Sequence, residues 1–406
     1  NMIFRIYTIG LLTAAVAPIL NAQDMEVVNG PPFTPENLIS NVFLGEGVEV
    51  LNVTFTGNNQ SVGFFNQSAD EVGINRGIVM STGRATSNAG IGVDQPGNEQ
   101  SSSNMGTAIM DPDLLNITNG VEVNDMVRYS ITFIPISDTL RFNYVFGSEE
   151  YPEYVCSNFN DVFGFFISGP GINGPYSNNA ENIALIPGTD LPVTINNLNP
   201  GEVGTNGDSD NCQPPIGSLD YSAFYNDNNN SSNQPVYDGF TSVLTAEAVV
   251  EPCSTYTIKL VIADVSDGLF DSGVFLEAKS FGTGSLDVEA TTVSLDGSVA
   301  EGCAEGVLTF SLPSPVEVDY PIDYQILGTA ENGVDYEFIP PGLFIPAGDS
   351  AVNIPIIAFE DGIEEGEETI LIDVQRDPCN RDTIPILIRE NPLVPADLGP
   401  DLEICQ

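Results

Sequence analysis

Runs of alternating or nearly continuous apolar residues recur along this chain, and hardly any of them keeps a helical period. VRYSITFIPI, TLRFNYVFG, DVFGFFIS, NIALIP, TSVLTAEAVV, STYTIKLVIADV and GVFLEAKSF are rich in Val, Ile, Phe, Tyr and Thr, residues that suit a pleated surface. Several of these runs alternate with polar residues. Others stay apolar throughout, as the inner strands of a two-sheet sandwich do. Short helices are suggested only by PENLISNVF at Pro35 and IMDPDLLN at Asp111. The connections are long and rich in Gly, Asn and Ser, notably SNAGIGVDQPGNEQSSSNMG and NDNNNSSNQP, and loops of such length are often functional.

Beyond Gly282-Thr-Gly284 the runs become shorter and more regular: VEATTVSL, GVLTFSL, VDYPIDYQIL, GLFIPA, AVNIPIIAF, ETILIDVQ and TIPILIRE. Turn signals recur about every ten residues, the spacing of an immunoglobulin-like sandwich. The pattern predicts an all-β protein. A large jelly-roll-like β-sandwich with long loops occupies 24–283, and an Ig-like sandwich follows over 284–392. Residues 1–23 read as a secretion signal: Arg5 precedes the apolar IYTIGLLTAAVAPIL, and Asn21-Ala22-Gln23 offers a cleavage site. Residues 393–406 read as a linker and the start of a further Ig-like repeat, so the chain is expected to continue.

Charge narrows the function classes. Ten Lys and Arg stand against 57 Asp and Glu, with no His, for a net charge of −47. That balance excludes nucleic acid and anionic membrane surfaces as partners. With 42% hydrophobic residues the chain has ample material for cores, so its acidity does not mark disorder. It fits an exported protein in saline or calcium-containing surroundings. The six cysteines of an exported chain point to disulfides, and without His or a C-x-x-C pair they do not suggest zinc. Cys303 and Cys379 bracket the second domain and could join its first and last strands. Among Cys156, Cys212 and Cys253 the pairing stays open, and Cys405 has no local mate.

The acids carry the candidate chemistry. GSEEYPEYVC places Glu149, Glu150 and Glu153 between two strand-like runs, and Asp161 follows between Phe159 and Phe163. An acid among phenylalanines seldom lies buried without a partner. IADVSDGLFDSGVFLE sets Asp264, Asp267 and Asp271 around a strand connection, with Gly268 permitting a sharp turn. Ca²⁺ takes six to eight oxygens, which clustered Asp and loop carbonyls supply, although the spacing is not that of an EF-hand. The competing reading is solvated turn aspartates that cap backbone N–H groups. GEVGTNGDSDNC, with Asp208 and Asp210, reads as a plain turn.

Catalysis finds little support. The absence of His excludes a Ser-His-Asp triad, and no glycine-rich phosphate loop follows a strand and opens a helix. Glu149 and Glu150 are adjacent and so face opposite ways along a strand, which suits a glycosidase poorly. Acids from separate segments, such as Glu153 and Asp264, leave that reaction open. There is no Trp to stack on a sugar.

Several separated stretches are similar, in order, to the choice-of-anchor L domain: GIVMSTG, FGSEEYPEYVCSNFNDVFGFFISGPG, NIALIPGTDLPVTINNLN, DGFTSVLTA and PCSTYTIKLVIADVSDGLFDSGVFLEAKSF. The resemblance covers about 25–283. It implies a bacterial surface or secreted protein, in many cases of Bacteroidetes type with type IX secretion, and no established enzymatic role. The second domain resembles a Calx-beta module through Ala300-Glu301-Gly302, GTAENGVDYEF and FIPAGDSAVNIPIIAFEDGIEEGEETILIDV. That resemblance implies Ca²⁺ ligands at Glu301, Asp335, Glu360, Asp361 and Glu365. The chain departs from the pattern at its last strand, ILIREN, where calcium-binding members carry aspartates and this one has Arg389.

The reading is therefore a non-catalytic, calcium-stabilised module pair of a large bacterial surface adhesin or stalk, secreted or displayed at the cell surface. Its metal ligands are expected at Glu149, Glu150, Asp161, Asp264, Asp267 and Asp271 and at the five second-domain acids. Expected partners are an extracellular glycan or protein and further repeats of the same chain, with no nucleic acid and no membrane insertion. A carbohydrate-binding module is the alternative, and a secreted hydrolase ranks third.

Overall fold

The computed structural model describes residues 24–390, except 46, 67–68, 108, 283–285, 295, 304, 313–314, 317, 361, 363–365 and 378. The side chains of 69–70, 377 and 380 are likewise outside the description. The first unit runs β1 (Glu26–Val28), β2 (Val48–Thr56), β3 (Val62–Asn66), β4 (Arg76–Ser81), β5 (Val123–Pro135), β6 (Thr139–Ser148) and β7 (Val162–Ser168). It continues with β8 (Glu181–Asn182), β9 (Tyr225–Asp227), β10 (Gly239–Thr241), β11 (Leu244–Val249), β12 (Tyr256–Val265) and β13 (Ser272–Glu277). One sheet has the order β1-β3-β4-β13-β6-β10-β9, with β11 also on β6; the other has β2-β5-β12-β7-β8. Their pairings are antiparallel.

Strand alternation explains why the sheets stack. Leu140, Phe142, Tyr144 and Phe146 of β6 meet Phe163, Phe165 and Ile167 of β7 and Ile258, Leu260 and Ile262 of β12 in one core. Phe146 and Phe163 stack at 5.0 Å between ring centroids, and Tyr144 meets Phe165 edge-on at 5.0 Å. The other faces are covered too. Val145, Phe275 and Tyr237 form a cluster outside the larger sheet, while Val162, Phe166, Val261 and Ala263 pack with Leu114 outside the smaller one. Strands covered on both faces read as continuous apolar runs, hence VFGFFIS.

The helix Pro112–Ile117 that supplies Leu114 starts at Asp111, whose carboxylate accepts from the Asp113 N–H at 3.0 Å. Lys259 of β12 reaches both acids, at 2.6 Å to Asp111 and 2.5 Å to Asp113, and Arg128 adds a 3.1 Å contact to Asp111. Where this fold buries these two acids, basic side chains neutralise them.

The second unit comprises β14 (Asp287–Thr292), β15 (Ser298–Ala300), β16 (Gly306–Ser311), β17 (Tyr320–Pro321) and β18 (Tyr324–Gly328). After these come β19 (Phe344–Ile345), β20 (Ala351–Ile356), β21 (Glu368–Asp377) and β22 (Asn380–Arg389). A β14-β16-β20 sheet and a β15-β22-β21-β18 sheet enclose their own core, including Val299, Leu308, Phe310, Ile370, Ile372 and Ile388. The all-β, sandwich-like architecture is as expected. Among the described residues no helix is long and apolar enough to cross a membrane.

The cysteines overturn one expectation. Cys156 pairs with Cys212, while Cys379 pairs with Cys253 of the first unit, leaving Cys303 as an exposed free thiol. The reason is the length of β22. Ala300 pairs with Arg389 at one end of that strand, so Cys303 lies there, whereas Cys379 occupies the turn before Asn380 at the other end. Ten residues of strand span roughly 30 Å, far beyond a disulfide's reach. Cys405 lies outside the described residues, as do the expected secretion signal and the terminal repeat. The Cys253–Cys379 bond ties the two units together in addition to the chain itself. Protease cleavage between Gly282 and Leu286 is therefore expected to release two separate fragments on a reducing gel only. Separation without reductant would refute the cross-link.

Candidate metal centre

At one end of the first sandwich the inward positions change character. Continuing the core face of β6 past Phe146 gives Ser148; continuing β13 back from Val274 gives Ser272; continuing β4 past Met80 gives Thr82. From the opposite sheet, β7 back from Phe163 gives Asp161 and β12 past Ile262 gives Asp264. The last rung of an aromatic core is thus built of three hydroxyls facing two carboxyls. Ala263 pairs with Val162, so Asp264 and Asp161 stand opposite each other one step further along that ladder. The β5–β12 ladder slips at the same place, from Ile262↔Val127 to Asp264↔Asn124, and Asp125 there takes a left-handed φ of 45°.

The strand order answers which acids meet. Burial is nearly complete: relative exposure is 0% for Asp264 and Asp271, 1% for Asp161 and Glu150, and 3% for Glu149 and Asp125. Asp161 accepts from the Val265 N–H at 2.9 Å and from the Ser272 hydroxyl at 2.6 Å; that hydroxyl also lies 2.8 Å from Ser148 Oγ. Asp271 accepts from Ser101 Oγ at 2.5 Å and from the Ser103 N–H at 3.0 Å, and Glu149 accepts from the Ser101 N–H at 3.0 Å. The loop SSSNMG thus straps across the acids, and Thr107 N–H donates to Asp125 at 3.1 Å. Gly83 makes room for Asp271, since a Cβ there would lie 1.8 Å from its carboxylate oxygen.

Both oxygens of Asp264 lack a hydrogen-bond partner, as do Oδ2 of Asp125 and Oε2 of Glu150. Among the described residues no Lys or Arg forms an ion pair with any of these six acids. Burial therefore governs their titration. It pushes Glu149 up to about 9 and Glu150 up to about 10, in the latter case aided by the charge of Asp161. Burial likewise raises Asp161 to about 7 and Asp271 to about 6 against their hydrogen bonds, and drives Asp264 well above the usual range with Asp161 and Asp271 adding to it. Thr82 stands beside Asp264, but its hydroxyl donates to the Ser272 carbonyl at 3.3 Å and accepts from the Ser272 N–H at 2.9 Å. Asp113 is the contrast. Burial acts upward on it too, yet Lys259 and Ser177 outweigh that and hold its carboxyl below the usual range.

Other sequence-derived candidates fall elsewhere. Asp267 is half-exposed and caps its own turn, accepting from the Leu269 N–H at 3.1 Å. Asp208 does the same for Asp210 at 3.1 Å, opening a short 3-10 turn. Glu153 stands further out, with Asn229 3.3 Å away and Asp238 raised to about 7 by burial and by Glu153 itself; the charges of both acids also act on Glu149. In the second unit Glu301 is buried and Glu360 exposed, with Glu360 lying against Gly302, while half-buried Asp335 accepts from the Glu331 N–H at 2.6 Å. Asp361 and Glu365 lie outside the described residues. Arg389 at that rim pairs with Asp296 and Glu367. Asp125 and the Ser101 strap escaped the sequence reading, and an acid just before VRYSITF was the available signal for the former.

Among the described residues no three Asp, Glu or Cys side chains already form a closed ligand set. What the core end presents is a facing carboxyl pair with free acceptor oxygens around it.

No curated protein matches the chain. Among solved structures, two crystal structures of a GH2 β-galacturonidase from Eisenbergiella tayi, bound to glycerol and to galacturonate, align at 8% identity with TM-scores of 0.20 and 0.19. Each alignment covers 65% of this chain and 35% of that one, and scores so low carry no argument about fold or chemistry. The model of the choice-of-anchor L domain matches residues 27–282, the whole sandwich that holds the acidic core end. By that match the chain belongs to the choice-of-anchor L domain family, and its kind is that of a cell-surface or secreted protein, to which the two disulfides conform.

Proposed function

We propose that this is a non-catalytic, calcium-stabilised segment of a large bacterial surface adhesin or stalk. In this reading the first sandwich is displayed, and the second serves as a Calx-beta-like spacer tied to it by Cys253–Cys379. Export by a type IX route in a Bacteroidetes-type cell belongs to the same reading and draws on the sequence resemblance. One observation carries it: buried carboxyls converge at the core end without a basic partner, whereas Asp111 and Asp113 have Lys259 and Arg128. Uncompensated buried charge is costly, and a divalent ion that binds only the folded state offsets that cost by mass action. A catalytic use of the same acids has less support, because Glu149 is engaged by the strap and Asp264 has no general-acid partner across an open cleft.

EDTA is expected to lower the melting temperature of residues 24–392 by several degrees, and Ca²⁺ to restore it more fully than Mg²⁺, which demands a stricter octahedron. An unchanged melting curve on chelation would refute calcium stabilisation. A second reading, carbohydrate binding, is favoured by a polar groove of about 700 Å³ where exposed Asn226, Asp227 and Asn233 stand near Phe240. A polysaccharide pulldown that retains the protein would move the function to that groove.

A further inference from the structure

Resting on the calcium reading, the geometry points to one particular seat: we propose that a divalent cation of Ca²⁺ size binds between Asp161 and Asp264 at the end of the aromatic core. Oδ2 of Asp125, whose charge acts on Asp264, and Oε2 of Glu150, whose carboxyl feels Asp161, are further buried acceptors without a partner. The acids alone would not establish this. The second observation is Asp264 itself, a fully buried side chain with neither oxygen hydrogen-bonded, projecting from the core face of β12 toward Asp161. A proton shared by the two carboxyls would satisfy one oxygen of each and leave the other Asp264 oxygen, Asp125 and Glu150 without partners. A cation between the pair takes up both unpartnered Asp264 oxygens and balances the charge of the two carboxylates.

The remaining ligands of a six- to eight-oxygen shell would be hydroxyl, main-chain or water oxygens, because the protein offers no closed triad here. The seat also has walls that cannot retreat. Asp161 is held by Val265 and Ser272, and Ser272 by Thr82 and Ser148. The strap through Ser101 and Ser103 shuts the open side by holding Asp271 and Glu149. Second-domain acids play no part in this seat, and neither does Asp267, whose carboxylate is used by its own turn.

Asp264→Asn in the intact two-domain chain tests the assignment. Calcium titration by calorimetry should lose one bound ion per chain relative to wild type, and the Ca²⁺-induced rise in Tm should vanish. In EDTA at pH 8 the variant should melt no lower than wild type, since Asp264 accepts no hydrogen bond that the amide would lose; a merely structural Asp264 would instead lower Tm with or without the ion. If Ca²⁺ stabilises wild type and variant equally, the seat is elsewhere and this inference falls, while calcium stabilisation survives. If Ca²⁺ stabilises neither, both fall. Should the variant fail to fold, a Tb³⁺-soaked crystal of the wild-type chain decides by its anomalous density. A peak between Asp161 and Asp264 supports the seat, and its absence there overturns it.

Discussion

In EDTA the protein is expected to melt highest near pH 4–5 and to lose stability steadily as the pH rises, the reverse of ordinary acid denaturation. The sign follows from linkage. Carboxyls titrate near 4 in the unfolded chain. Here the folded values are raised, to about 6 for Asp271, about 7 for Asp161 and about 9 and 10 for Glu149 and Glu150. The folded state thus holds protons that the unfolded state has released. Their contribution is complete below about pH 4 and is lost as the pH climbs through the folded values. Summed over several groups, the fall in Tm from pH 5 to pH 9 should be on the order of 10 °C for a domain of this size. Saturating Ca²⁺ should flatten the profile, because the ion selects the ionised form. A metal-free profile that rises with pH, as in proteins whose acids are salt-bridged, would show that these carboxyls are not buried in solution.

Asp161→Ala is expected to cost about 2–4 kcal/mol, since it leaves the buried Val265 N–H and Ser272 hydroxyl without their acceptor. Asp208→Ala removes only the side-chain cap of a short 3-10 turn and should cost about 0.5–1 kcal/mol. The comparison belongs at pH 5 in EDTA. There Asp161 carries its proton, so relief of charge repulsion does not mask the lost hydrogen bonds. Urea midpoints for the two variants provide the measurement, and equal midpoints would place Asp161 in solvent.

Much of this was legible along the chain. The long apolar runs became strands with the exception of NIALIP, of which only Asn182 belongs to β8, because period-two alternation and Val/Ile/Phe content report locally on a pleated surface. Asp161 between Phe159 and Phe163 signalled a buried acid correctly, since flanking aromatics reveal a core strand and the alternation reveals the face. The three-residue β1, β9 and β15 carried too little local signal to be read, whereas VEVLNVTFT of β2 offered a usable alternation that went unread. The cysteine pairing was misread for a related reason: sequence order suggested Cys303 with Cys379, but the length of β22 holds those residues apart.

Composition and pattern by themselves determined that this chain is all-β, that its acids far outnumber its bases, and that acids crowd the ends of certain strands. Tertiary structure alone decided which of those acids meet. Sheet order sets β12 beside β7 and β13 beside β6, so acids far apart in the chain share one core end, while Asp267, three residues from Asp264, turns to the surface. Side-chain direction along a strand is a local property that any stretch of sequence carries, but the neighbour across a sheet or between sheets is set by the global path of the chain.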